Sequence, residues 1–216
     1  MTKLKYLVRQ PKSVGITNPP LLVLIHGYGS NENDLFSFAD YLHPDFLVIS
    51  LRAPLNLPMM GHAWYSIHFD DEQGKWSDDD EAIASREQVL AFLESLQHDH
   101  PYDPTQVHLL GFSQGAILSY SLALTYPNRF ASIVALSGYL NEKITTIPKE
   151  GKIPQIYVGH GTQDEVVPYQ WDKQGVERLR QEGIDVHFDS FPVGHTISQD
   201  GFHKLLAWQN ALLNKQ

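Results

Sequence analysis

The sequence predicts an α/β fold, a mostly parallel β-sheet with helices on both faces. Short apolar runs alternate with longer stretches of helical periodicity along its 216 residues, which is the pattern of strands joined by helical crossovers. Several runs are apolar at every position, as expected for strands whose two faces are both buried. Since no repeat, low-complexity stretch or long linker interrupts this pattern, we expect one domain spanning residues 1–216.

Six apolar runs predict the strands of the sheet, at residues 21–25, 46–49, 107–110, 133–136, 156–158 and 186–191. The last run alternates imperfectly, as an edge strand can, and the opening residues 4–9 could add an antiparallel strand. Apolar spacing predicts helices at residues 32–42, 79–98, 114–126, 169–182 and 199–214. The second helix begins in an acidic run from Asp78 to Glu81, which suits the positive end of a helix dipole.

The composition is that of an ordinary globular protein, with 42% hydrophobic and 19% charged residues. The net charge of −9 and the scattered lysines and arginines argue against nucleic-acid binding and against stable membrane association. The absence of cysteine excludes disulfides, thiolate metal sites and a cysteine nucleophile. Residues 1–12 lack the apolar segment of a signal peptide, so a cytoplasmic location is expected by default.

A serine follows the predicted strand 107–110 in a pattern that is typical of a catalytic nucleophile. Gly111-Phe112-Ser113-Gln114-Gly115 has the form G-x-S-x-G and leads into a predicted helix. This pattern forms a sharp strand-to-helix turn that exposes the serine hydroxyl above the sheet. Because ligand crevices of such sheets lie at the carboxyl ends of the strands, we predict that Ser113 is a nucleophile.

A serine nucleophile needs a base and an acid, and the chain order expected here is serine, acid, histidine. His195 lies in a loop between the last strand and the last helix, where an imidazole can reach the serine. The other three downstream histidines fit turn, strand or helix positions better. Asp164 follows the strand 156–158 in a tight turn and is expected to orient the imidazole. Glu165 is the alternative acid.

Backbone N–H groups are needed to stabilise the oxyanion that forms when serine attacks a carbonyl. In this type of site one donor is the residue after the nucleophile, here Gln114, and another comes from the first strand-to-helix loop. That loop reads His26-Gly27-Tyr28-Gly29, and we assign the second N–H to Tyr28 because the flanking glycines let the backbone approach closely. A glycine-rich turn without function is the alternative.

The segment 55–76 holds many aromatic residues and lies between a strand and the long helix, at the edge of the expected crevice. We predict that it walls a substrate pocket through Trp64 and Tyr65, with Val166 as a further pocket residue. The alternative is that the aromatic residues of this segment only pack it onto the body of the domain.

Over nearly its whole length the chain resembles the phospholipase/carboxylesterase family of α/β-hydrolases, which includes acyl-protein thioesterases. The shared motifs, in the family's order, are His26-Gly27-Tyr28-Gly29, Arg52-Ala53-Pro54, Gly111-Phe112-Ser113-Gln114-Gly115, His160-Gly161-Thr162-Gln163-Asp164 and Gly194-His195. The resemblance implies an α/β-hydrolase fold without a large cap domain, a triad of Ser113, Asp164 and His195, and oxyanion donors at Tyr28 and Gln114. Tyr28 departs from the aliphatic residue expected in the thioesterase branch.

We therefore expect a serine carboxylesterase that hydrolyses small-molecule esters of short to medium acyl chains through an acyl-enzyme on Ser113. This reaction requires neither a metal nor an organic cofactor. An acyl-protein thioesterase or lysophospholipase on the same triad is the nearest alternative. A catalytically idle hydrolase fold that binds a ligand or partner is the alternative from another class. A homodimer is compatible with the sequence.

Overall fold

A seven-stranded β-sheet forms the centre of the computed structural model, which describes residues 4–70 and 74–214. Numbered along the chain, the strands are β1 (Tyr6–Arg9), β2 (Leu21–Ile25), β3 (Leu47–Leu51), β4 (Leu55–Leu57), β5 (Gly61–Ala63), β6 (Ile67–Asp70), β7 (Gly74–Ser77), β8 (Val107–Phe112), β9 (Ser132–Leu136), β10 (Gln155–Gly161) and β11 (Val186–Phe191). The helices are α1 (Asn33–Phe36), α2 (Asp79–Asp99), α3 (Gln114–Thr125), α4 (Tyr169–Gln181) and α5 (Gln199–Leu213). Every predicted strand is present, including the opening one.

The strands of the central sheet follow the order β1-β3-β2-β8-β9-β10-β11. All neighbouring pairs are parallel except β1 with β3, so the opening strand is antiparallel, as predicted. The chain moves outward from β2 to β3 and then returns to β8 on the other side of β2. The order therefore reverses between β2 and β8, and a crevice opens at the carboxyl ends of strands at such a switch point.

Helices cover both faces of the sheet because side chains of a strand point alternately to its two faces. On β2, which is completely buried, Leu21, Val23 and Ile25 belong to an apolar cluster that also contains residues of α2, α3 and α4. Leu22 and Leu24 belong to a second cluster with residues of α1 and α5. The two-sided apolar runs thus produce the predicted three-layer arrangement, and no inserted segment of the described residues forms a large cap over it.

The first helix is much shorter than the predicted 32–42, whereas the other four agree with their predicted bounds. After α1 the N–H groups of Phe38, Ala39 and Tyr41 bond to carbonyls three residues back, so the chain continues as a series of tight turns. Ala39 and Leu42 in this stretch are still buried in the core, which explains why the apolar spacing resembled that of a longer helix. Within the described ranges, no helix has the length and apolar content needed to cross a membrane.

Two small hairpins occupy the segment 55–76, for which the sequence predicted no strands. Strands β4 and β5 form one antiparallel pair, and β6 and β7 form the other. Strands of three or four residues are too short for an alternating pattern to stand out, so they could not be predicted from hydrophobic periodicity. Residues 71–73 of this segment lie outside the described residues.

The buried His108 is expected to lower the stability of the fold in acid. His108 on β8 is buried, with its Nδ1 2.8 Å from the Ser132 hydroxyl and its ring 5.2 Å from the ring of Phe46. Burial, and to a lesser extent the charge of Lys152, lowers the pKa of His108 to about 4. The unfolded chain, with an ordinary histidine pKa near 6.5, binds this proton first. The free energy of unfolding is therefore expected to fall by up to about 3 kcal/mol as the pH drops from about 6.5 to 4.

Urea denaturation across this pH range measures the effect. In His108→Gln, whose amide can still bond to Ser132 but does not titrate, the slope of stability against pH should be flatter over the same interval. Equal slopes in the parent and the variant would show that other groups cause the acid sensitivity.

Candidate active site

Ser113 stands at the turn between β8 and α3, in a backbone conformation that few residues adopt. Its φ of 54° and ψ of −118° lie outside the common regions for residues other than glycine. Such a conformation costs on the order of 1–3 kcal/mol and persists only where the surrounding structure enforces it. Here the chain must leave β8 and enter α3 at one residue, and the strain presents the hydroxyl of Ser113 at the carboxyl end of the sheet.

The two glycines of the G-x-S-x-G pattern are required by close backbone approach. A Cβ atom on Gly115 would lie 1.9 Å from the carbonyl oxygen of Ile25, and one on Gly111 would lie 2.3 Å from the carbonyl oxygen of Gly115. Both distances are far shorter than any real contact. The absence of side chains at these positions lets α3 begin directly against β2, which places Ser113 beside the switch point.

The structure brings Ser113, His195 and Asp164 into one hydrogen-bonded series. His195 lies with Nε2 2.9 Å from Oγ of Ser113 and Nδ1 2.7 Å from Oδ2 of Asp164. The other oxygen of Asp164 accepts from the backbone N–H groups of Val166 and Val167, at 2.9 and 2.8 Å. The side chain of Asp164 is fully buried, whereas Glu165 is exposed.

The contacts of His195 fix which ring nitrogen carries the proton. A carboxylate can only accept, so Nδ1–H donates to Asp164 and Nε2 is left to accept from the hydroxyl of Ser113. This tautomer is the one that a general base needs in order to take the serine proton. The imidazole also packs against the ring of Phe112, with centroids 5.0 Å apart.

The loop after β2 that contains Tyr28 is held by the β4–β5 hairpin. Gly29 donates its N–H to the carbonyl of His62 at 2.9 Å, and His62 donates its own to the carbonyl of Ser30 at 2.7 Å. Gln114 is the first residue of α3, where backbone N–H groups have no acceptor within the helix. Tyr28 and Gln114 both line the same cavity as Ser113 and His195.

His26 supports this loop from inside the protein, a role that sequence reasoning missed. Its Nε2 accepts the N–H of Ala53 at 3.1 Å, so Nδ1 carries the proton and donates to the carbonyl of Gly27 at 2.7 Å. Burial is the main cause that lowers the pKa of His26, which keeps the ring neutral in this arrangement. The position of this histidine in the first motif was visible in the sequence, but its inward orientation was not.

A cavity of about 1040 Å³ opens above Ser113. Tyr65 and Val166 line it, and so do five further apolar or aromatic residues, Ile67, Ile117, Tyr139, Val167 and Trp171. Tyr139 and Trp171 meet edge to face, with ring centroids 5.4 Å apart. Trp171 lies in the first turn of α4, and no feature of its local sequence had indicated a position in the cavity.

Trp64 is not a cavity residue, and that part of the pocket prediction was wrong. The residue is completely buried, its indole N–H donates to the carbonyl of His26 at 2.9 Å, and its ring lies 5.6 Å from the ring of His26. The side chain amide of Gln114 accepts from the N–H of Trp64 at 2.8 Å and donates to the carbonyl of Tyr65 at 2.7 Å. Trp64 thus packs its segment onto the domain behind the Tyr28 loop, which was the alternative interpretation.

One wall of the cavity is acidic because the start of α2 faces it. Asp78, Asp79 and Asp80 all line the cavity. Asp78 caps the helix by accepting the N–H of Glu81 at 3.0 Å, as an acidic helix start predicts. Lys143 also lines the cavity, with its Nζ 3.8 Å from Asp79. The sequence indicated the helix start but not that it borders the crevice.

Comparisons with known proteins agree with this architecture. The sequence profile of the phospholipase/carboxylesterase family matches residues 13–212. An acyl-protein thioesterase 1 from Cryptococcus neoformans var. neoformans serotype D is 28% identical over 233 residues, covering 96% of this chain and 97% of that protein. A probable carboxylesterase from Oryza sativa subsp. japonica is 29% identical over 154 residues, covering 68% of this chain and 56% of that protein.

Solved structures show the same fold. The crystal structure of esterase PE8 superimposes with a TM-score of 0.81 at 27% identity, covering 98% of this chain and all of that one (100%). The Bacillus cereus carboxylesterase has a TM-score of 0.77 at 20% identity, covering 97% of this chain and 94% of that one. With a family match over most of its length, the chain belongs to the phospholipase/carboxylesterase family of α/β-hydrolases.

Proposed function

We propose that this protein is a serine carboxylesterase that hydrolyses neutral esters of short to medium acyl chains. The observation that carries the proposal is the series Ser113–His195–Asp164, whose contacts of 2.9 and 2.7 Å meet at the floor of the cavity. A nucleophile within hydrogen-bonding distance of a base, itself oriented by a buried acid, is the arrangement required for acyl transfer.

The reaction proceeds in two acyl-transfer steps. His195 takes the proton of Ser113 as the serine oxygen attacks the ester carbonyl, and the N–H groups of Tyr28 and Gln114 stabilise the oxyanion. The C–O bond to the alcohol breaks as His195 returns the proton to the leaving oxygen. Water then attacks the acyl-enzyme by the same route and releases the carboxylic acid.

The walls of the cavity support a limit on acyl chain length. The cavity is lined by apolar side chains such as Ile117, Val167 and Trp171. Each methylene group of the acyl chain that is buried against them adds roughly 0.8 kcal/mol to the binding free energy, until the end of the pocket is reached. The described residues provide no large cap that would extend the pocket around a long chain. Binding should therefore strengthen up to a medium chain and weaken beyond it.

The acidic wall supports a preference among leaving groups. Asp78, Asp79 and Asp80 repel anionic groups that enter the cavity. An acyl-CoA or a lysophospholipid with an acidic head group carries such charges, whereas a simple ester does not. Hydrolysis of a protein thioester is the second candidate, because the relative from Cryptococcus neoformans is named an acyl-protein thioesterase and matches nearly the whole chain.

The shape and charge of the cavity predict a preference for uncharged esters of medium acyl length. Over a series of nitrophenyl esters, kcat/KM should rise from acetate, reach its maximum between butyrate and octanoate, and fall for palmitate. At equal acyl length, hydrolysis of acyl-CoA should be slower than that of the ester. Steady-state kinetics on both series measures this, with Ser113→Ala as the background for each substrate. A maximum at palmitate would contradict the proposed pocket, and faster cleavage of an acylated peptide thioester than of any ester would favour the second candidate.

A further inference from the structure

A second buried pair of histidine and aspartate lies directly behind Asp164. His160, at the end of β10, and Asp172, on α4, have completely buried side chains, with Nδ1 of His160 2.8 Å from Oδ2 of Asp172. The other oxygen of Asp172 accepts from the hydroxyl of Tyr120 on α3 at 3.1 Å. None of these three residues lines the cavity, so the pair does not contact substrate directly.

His160 connects this pair to the candidate triad. Its Nε2 lies 2.9 Å from the carbonyl oxygen of Val167 and 3.4 Å from Oδ2 of Asp164. That carboxylate oxygen is the same one that accepts from His195 at 2.7 Å. Asp164 Oδ2 is thus situated between two imidazole rings, one facing the cavity and one buried behind it.

The acceptors around His160 favour a ring with a proton on both nitrogens. The carbonyl of Val167 can only accept, so Nε2 carries a proton, and Nδ1 faces the carboxylate of Asp172. Burial alone lowers the pKa of His160, but the hydrogen bond and charge of Asp172, the Val167 carbonyl and the charge of Asp164 outweigh it and raise the pKa. A buried charge is tolerated when it is paired and hydrogen-bonded in this way.

We infer that His160 is a positioning residue, a buried imidazolium that is held by Asp172 and fixes the carboxylate of Asp164 beneath His195. This inference rests on the proposed function, since it assigns His160 a role in positioning the acid of that triad. The positive ring has two effects. It anchors Asp164 from behind, and it offsets part of the negative charge that would otherwise hold a proton on His195.

The charged surroundings determine the sign of the second effect. Tyr169 from α4 also faces His160, with ring centroids 5.9 Å apart, and it adds no charge while its hydroxyl is protonated. On the cavity side, His195 shares its space with the acidic wall of residues 78–80 and with Lys143. Removing the charge of His160 takes away a positive charge that lies 3.4 Å from Oδ2 of Asp164, so the negative charge of Asp164 acts on the protonated form of His195 without that offset.

The test is His160→Gln, whose amide can still donate to a carbonyl but carries no charge. The acid limb of the kcat/KM profile for a short ester should move to higher pH by roughly half a unit to one unit. At the plateau kcat should fall about tenfold, the lower end of the loss known for removal of an outer-shell partner of a metal-ligating histidine. An acid limb that stays in place would overturn the inference.

A matched control separates this effect from a general loss of stability. Val176→Ala removes buried packing from α4 without touching a charged group, so it should lower Tm and leave the acid limb unchanged. Asp172→Asn removes the anion that holds the imidazolium, and it should lower kcat as His160→Gln does. If Val176→Ala shifts the acid limb equally, the role of His160 is structural only.

NMR provides a measurement that does not depend on activity. In the parent protein near pH 7, ¹⁵N spectra of the His160 ring should show two protonated nitrogens, and the titration midpoint of His195 should rise in His160→Gln. A single protonated nitrogen on His160 would overturn the inference even if His160→Gln did not fold. If the parent hydrolyses no ester, the proposed function fails, and the two histidine measurements still decide whether His160 carries a charge that acts on His195.

Discussion

Replacing Ser113 with alanine is expected to abolish ester hydrolysis while the fold survives. Loss of the nucleophile from a comparable triad lowers kcat by about a million-fold. The substitution removes one oxygen atom. The hydrogen bond from Ser113 to His195 is lost, and the smaller side chain introduces no steric clash. Steady-state kinetics on the best soluble ester measures the loss, and circular dichroism with a thermal melt checks the fold.

A neighbouring serine provides the control. Ser119 is completely buried on α3 and donates to the carbonyl of Gly115 at 2.8 Å, away from the cavity. A fluorophosphonate probe, which phosphonylates activated serines with loss of fluoride, should label the parent protein and Ser119→Ala but not Ser113→Ala. If Ser113→Ala kept activity within tenfold of the parent, or still reacted with the probe, the nucleophile would have to be another residue.

Asp164→Asn should have the second largest effect, a loss of about 10⁴ in kcat. An amide in this position presents an N–H as well as a carbonyl, so it can favour the wrong tautomer of His195, and it no longer stabilises the imidazolium. The Asp164 side chain already satisfies two backbone N–H groups and one imidazole. Removing its charge therefore weakens the hydrogen bond that orients the base and the two hydrogen bonds that hold the carboxylate in place.

Glu165→Gln is the matched variant, because it makes the same chemical change one residue away. Glu165 is exposed, and its substitution should change kcat by less than about threefold, as expected for a surface side chain. Kinetics at the pH optimum compares the two variants. A larger loss for Glu165→Gln than for Asp164→Asn would assign the acid to Glu165.

The elements that could be predicted are those whose signal is local. Strands such as β2 are apolar at every position because both faces are covered, and that pattern needs no tertiary information to be recognised. Parallel strands then place their following loops at one edge of the sheet. This is why Ser113, Asp164 and His195, which lie far apart in sequence, could be chosen together from the residues that follow strands.

The features that could not be predicted depend on where a side chain points in three dimensions. Trp64 and Tyr65 are adjacent and both fully buried, yet one lies behind the Tyr28 loop and the other lines the cavity. Local composition does not separate two such neighbours. The acidic start of α2 likewise had a sufficient explanation as a helix cap, and only the packing of α2 beside the crevice makes it a cavity wall.

The position of β11 has a consequence for how this protein responds to heat. Ser113 and Asp164 follow β8 and β10, which are paired on both sides, whereas His195 follows β11, an edge strand that pairs with β10 alone among the described strands. Edge elements open locally at lower free-energy cost than the centre of a sheet. Inactivation on warming should therefore begin with local opening of β11, which separates the base from the nucleophile while the inner strands remain folded.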